Sequence, residues 1–228
     1  MKNCNYILIF LLTFSFCSNL DKKETMNELY SQDFLKFKSE NDIEIINLDS
    51  IINFSELRTQ MGQITCEGKV SGLRFEFRHT FYNITGFSEC PSSGEIGCYF
   101  KRNVMSIRND SLIIGYGKDK NEKPISCLKT ELYNRMAKTY NFQYNENKVK
   151  PALIYFYVED KYPISTTKRV LKEIAEQFST INSKNGINYF KYNILFESFD
   201  ITKIPPPPPP PPPLLPLPPP PKPNEFDN

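Results

Sequence analysis

The sequence predicts one α+β domain with antiparallel strands and a C-terminal strand–helix–strand unit, followed by a polyproline II tail. Three observations predict it. Leu73 to Tyr82 alternates apolar and polar side chains, the period-2 signature of a strand with one covered face. Ala152 to Val158 is a continuous apolar run of strand length, and Val170, Leu171, Ile174, Phe178 and Ile181 follow it at helical spacing. Nine consecutive prolines, Pro205 to Pro213, then remove the N–H donors that a helix or sheet ladder needs.

At the N-terminus, Lys2 precedes an apolar run from Tyr6 to Phe16 that stops at Cys17. A bilayer-spanning helix needs about 20 residues, so this shorter run behind a positive start reads as a secretory signal peptide over residues 1–16. Leu12-Thr13-Phe14-Ser15-Phe16-Cys17 resembles a bacterial, Bacteroidetes-like lipoprotein signal, which makes Cys17 the lipidation site. Cleavage nearby without lipidation would instead leave a secreted protein. Residues 17–42 are charged and mildly helical, and are expected as a tether between membrane and domain.

The globular domain is placed at residues 43–200. Ile43 to Leu48 suits a first strand, and Ser50 to Met61 a short helix with Ile51, Ile52, Phe54 and Leu57 as its apolar positions and Gly62 as its stop. In the alternating segment, His79 falls in phase with Leu73, Phe75, Phe77 and Phe81. A base or ligand is one reading of it, and a hydrogen-bonded core histidine the plainer one. Val104–Ile107 and Leu112–Tyr116 flank the turn residues Asn109-Asp110 and read as a hairpin. Ser126 to Tyr140 is helical, with Leu128, Leu132, Met136 and Tyr140 forming one stripe of core residues.

Beyond the apolar run, Ser165 or Thr166 is expected to cap the next helix, whose wet face carries Lys168, Lys172 and Glu173. Gly186 ends that helix and Tyr189–Phe199 returns as a strand. Leu153-Ile154-Tyr155-Phe156-Tyr157-Val158, then Asp160, Tyr162 and the helix from Thr166, resemble the periplasmic module of ExbD/TolR-type proteins over residues 151–200. The resemblance implies a periplasmic binding role beside a TonB-type energy-transducing complex. It does not extend to proton-coupled work, because Tyr6–Phe16 is short and carries no acid.

Cys66, Cys90, Cys98 and Cys127 follow the leader, an even number in an exported chain, so they are disulfide candidates. The turn-rich loop between Cys90 and Cys98 favours that pair, with Cys66 joined to Cys127; unpaired thiols are the alternative. Zinc-type spacing is lacking and His79 is the sole histidine, so no metal site is expected. Lys plus Arg is 28 against Asp plus Glu 26, with no basic run, so no nucleic-acid partner is expected.

No glycine-rich phosphate loop occurs, and serine or cysteine nucleophiles have only His79 as a histidine base. Glu159-Asp160 closes a strand, but neighbouring acids there point apart. No catalytic residue and no cofactor is therefore expected. In the tail (residues 201–228), Pro205–Pro221 as polyproline II spans roughly 50 Å. It reads as a stiff, unpacked extension, dispensable for folding, or as a ligand whose Leu214, Leu215 and Leu217 a partner protein grips. These readings converge on a cell-envelope lipoprotein, facing the periplasm or exterior, that binds or scaffolds without catalysis. A TonB/ExbD-type accessory is the alternative, and a secreted hydrolase the second alternative.

Overall fold

The computed structural model describes residues 26–91, 103–115, 120–143 and 146–203. In chain order these form β1 (Asn27–Tyr30), α1 (Phe34–Glu40), β2 (Ile43–Asn47), α2 (Phe54–Cys66), β3 (Val70–Phe77), β4 (Thr80–Gly86), β5 (Asn103–Arg108), β6 (Ser111–Ile114), β7 (Asn121–Pro124), α3 (Leu128–Met136), β8 (Val149–Tyr157), α4 (Ile164–Asn185) and β9 (Phe190–Phe196). The strands make two sheets, ordered β1-β4-β3-β2 and β7-β6-β5-β8-β9. In the first, β3 and β4 are antiparallel while β1 and β2 run parallel to their neighbours. In the second, β5, β6 and β7 form an antiparallel meander, and β8 lies parallel to both β5 and β9. This is the α+β class that the sequence predicts.

The β8–α4–β9 unit follows the sequence closely. Ala152, Leu153, Ile154 and Phe156 are all buried, so both faces of β8 are covered. The stripe Val170, Leu171, Ile174, Phe178 and Ile181 is buried from end to end. Each such side chain removed from water contributes about 1.5–3 kcal/mol. The helix starts differently from expectation. Pro163 holds the N-cap position and makes no side-chain cap, while the Thr166 N–H donates to its carbonyl at 2.9 Å; Ser165 and Thr166 already sit inside the first turn. Gly186 ends the helix with φ +117°, a conformation that L side chains rarely adopt.

Helix α4 also ties the sheets together. Tyr82 on β4 donates its hydroxyl to Glu176 at 2.6 Å, and the Lys172 ammonium sits 5.5 Å from the Phe77 ring centre. Phe54, at the start of α2, packs its ring against Phe156 and Phe196 of the second sheet, with centroids 5.4 and 5.6 Å away. The sheets join directly just past β4. The Phe87 N–H donates to Ile194 at 2.9 Å and its carbonyl accepts from Phe196 at 2.8 Å. One edge of β4 thus serves β1 first and β9 afterwards.

Four expectations are corrected. The presumed tether enters the domain: within residues 26–42, β1 pairs with β4 and α1 buries Phe34. The single strand Leu73–Tyr82 is a hairpin, because Arg78 and His79 both take positive φ (47° and 61°), as a two-residue hairpin turn requires. His79 is therefore exposed on a turn and not a core residue. The helix expected from Ser50 begins at Phe54, capped by Asn53, whose side chain accepts the Glu56 N–H at 2.9 Å. Ile52 is left 76% exposed before it.

Gly62 lies inside α2 and does not stop it; a Cβ there would meet the Glu89 carbonyl and the Pro91 ring, each at 3.2 Å. That close approach carries the fourth correction. Cys66, at the end of α2, is bonded to Cys90, with the Cα atoms 4.9 Å apart. Cys90 is therefore taken from Cys98, and Cys127 keeps a free, half-buried thiol. The loop spacing that favoured Cys90–Cys98 is local, whereas the contact between α2 and the segment after β4 is tertiary.

Candidate binding groove

Helix α3 buries Leu128 and Leu132 against the core, as their four-residue spacing predicts. The stripe then breaks. The helix closes at Met136, Lys138 turns extended (φ −104°, ψ 115°), and Thr139–Asn141 form a 3-10 turn. Tyr140, expected as the fourth core residue of the stripe, is instead 66% exposed. Two hydrogen bonds hold the turn in place. Asn141 Nδ2 donates to the Arg135 carbonyl at 2.8 Å, and Lys150 Nζ on β8 donates to the Tyr140 carbonyl at 2.7 Å.

Between this turn, α3 and the end of β6 lies a groove of about 600 Å³, lined by Ile114, Glu131, Asn134, Arg135, Lys138 and Tyr140. Its carboxylate is already engaged, because Arg135 Nε donates to Glu131 at 3.0 Å. Lys138 places its ammonium 6.0 Å from the Tyr140 ring centre. The wall is therefore rich in donors and carries one exposed aromatic side chain and the apolar Ile114. Such a surface can hold a ligand by stacking and by hydrogen bonds to its acceptors.

A second polar cluster sits at the carboxyl ends of the parallel strands β5 and β8. Arg108 reaches Glu122 at 2.8 Å and Asp200 at 3.3 Å, on the face of the sheet opposite α3. Burial opposes the Asp200 charge, but hydrogen bonds from Thr202 and Arg108 outweigh it and hold that carboxyl below its ordinary range. Glu159 and Asp160 diverge. The Glu159 carboxylate takes Lys161 at 2.6 Å, while Asp160 accepts the Ser55 N–H at 3.1 Å and so helps cap α2. These groups bond to one another and to backbone, and they line neither groove. Past β9, Glu197 is pushed up to about 7 by burial and by the Glu89 carboxylate.

A smaller groove of about 320 Å³ lies between α4 and β1, flanked by Tyr30, Gln32, Ser179, Asn182, Ile187 and Tyr192. Ile187 there is 91% exposed.

Of the residues singled out in the sequence, Cys17, Cys98, Leu214, Leu215 and Leu217 lie outside the described residues. Among the described residues, no group of three or more His, Cys, Asp or Glu is placed to hold a metal ion, and no helix is long and apolar enough to cross a membrane. Asn134, Arg135 and Lys138 were not singled out by the sequence. The one signal for them is the run Lys138-Thr139-Tyr140-Asn141, whose threonine and asparagine disfavour the helix that the stripe would otherwise extend. No family model, no curated protein and no solved structure matches this chain.

Proposed function

We propose that the protein is a non-enzymatic binding or scaffolding module of the cell envelope, attached through a lipid on Cys17, with the groove beside α3 as its binding surface. The observation that carries this reading is the combination of Tyr140, 66% exposed, with the donors of Asn134 and Lys138 on one wall. A side chain held out of the core by its own hydrogen-bonded turn is available for a partner, and exposed aromatics of this kind are frequent anchors of interfaces. The leader supports the location, and the stapled, two-sheet domain supplies a rigid platform.

The test uses full-length protein recovered with its membranes, carrying Tyr140→Ala together with Lys138→Glu. The expected result is loss of the partner retained by the wild type. Ile187→Ser, in the smaller groove, serves as control and retains it. Equal recovery from all three proteins refutes the groove as the binding surface.

A further inference from the structure

We propose that the groove beside α3 is the docking site of this chain's own proline-rich segment, Pro205 to Pro221, which seats on Tyr140 and competes with outside partners. The inference rests on the groove being a binding surface and adds how access to it is regulated.

The first argument is complementarity. A polyproline segment offers carbonyl acceptors and ring faces but no N–H donor. A surface suited to it therefore supplies donors and an aromatic face. Asn134, Arg135 and Lys138 are donors, Tyr140 is the aromatic face, and the one acid of the wall, Glu131, is bound to Arg135 at 3.0 Å. Proline-rich ligands favour aromatic-lined grooves because their extended helix is formed before binding.

The second argument is position. Lys120 Nζ donates to Thr202 Oγ1 at 2.7 Å, which fixes the chain two residues before Ile204. Lys120 immediately precedes β7, and Asn121 of β7 pairs with Ile114, a residue of the groove. β7 is the edge strand of its sheet. At about 3.1 Å per residue, Pro205–Pro221 extends over roughly 50 Å.

The third argument is tethering. A short linker holds its ligand at millimolar effective concentration, so an intrinsic affinity near 0.1 mM gives about ten closed molecules for each open one. The sequence alone leaves this tail unpacked on the domain; the groove gives it a place to pack.

Two measurements on the full-length chain test the proposal. With Tyr140→p-benzoylphenylalanine, irradiation should link position 140 to the Pro205–Pro221 peptide within a monomer. A link found only in dimers, or none to that peptide, overturns docking within one chain. A synthetic peptide of residues 204–222 is also titrated into the wild type and into a chain with Pro205–Pro221 replaced by glycine and serine. The second protein should bind it about tenfold more tightly, and Tyr140→Ala should abolish that gain. Equal affinities overturn the competition. Absence of binding to either overturns the tail as a ligand, and the envelope partner lost on Tyr140→Ala would still establish the groove itself.

Discussion

Helices α3 and α4 both carry apolar residues four apart, yet they end differently. Along α4 the stripe is covered over the whole of Ile164–Asn185, because two sheets lie beneath it. Phe178 alone meets Phe190 at 5.0 Å and Tyr192 at 4.4 Å between ring centres. Helix α3 buries Leu128 and Leu132 fully and packs Met136 partly against the core. Past Met136 the chain tightens into a 3-10 turn, Tyr140 faces outward, and the next apolar side chain packed on the core is Phe142. The same periodicity therefore marks buried core along α4 and an exposed side chain past the end of α3.

The comparison is broken most forcefully in α4. Phe178→Ala should destabilise the domain by about 3–5 kcal/mol, through lost burial and the cavity left behind, read from urea denaturation. A change below about 1 kcal/mol would mean that the stripe is not the core. Next comes the staple on α2. Cys90→Ala should cost about 2–4 kcal/mol, and peptide mapping of unreduced protein should recover Cys66 linked to Cys90. Recovery of Cys66 as an alkylated thiol would contradict the bond.

A smaller effect comes from Glu197. Its folded-state pKa of about 7 lies above the ordinary glutamate value, so between roughly pH 4.3 and 7 the unfolded chain releases a proton that the native one keeps. Its contribution is therefore full below that window and falls as pH rises through it. Glu197→Gln should remove this decline, by about 1 kcal/mol after allowance for solvent screening, in denaturation curves at pH 5 and 8. Parallel pH dependence in both proteins would contradict the assignment. Least affected is the exposed end of α3. Tyr140→Ala should change stability by less than about 0.5 kcal/mol while removing binding, which separates surface from core in one measurement.

The helix–sheet part of the fold was legible because strong periodicity and real burial coincide in α4 and β8. The hairpin at Arg78-His79 was not, for a geometric reason. Phe77, His79 and Phe81 continue the odd-numbered set by residue type and read as one face, although the pairing puts Phe77 and Phe81 on opposite faces. The trace of the turn lies in the phase. Phe75 faces Tyr82 and Leu73 faces Ile84 across the pair, so the buried set passes from odd to even numbers. Neither turn residue is a glycine or asparagine that would announce it. Half of the groove was legible in the same sense. Tyr140 stood out as part of a pattern, but its exposure depends on where β6 and α3 end, which no local spacing records.

The edge of β4 that receives β1 and then, through Phe87, β9 has a consequence for how the chain acquires its structure. β1 is the first strand described and β9 the last, so that edge stays open until residues near 196 are available. Contacts between such distant segments slow folding, because the intervening chain must be ordered before they form. A partly delivered chain presents the Phe87 N–H and carbonyl unpaired, an invitation to wrong strand partners. Completion of the C-terminal unit thus closes the first sheet as well as the second, and the two halves gain their protection together.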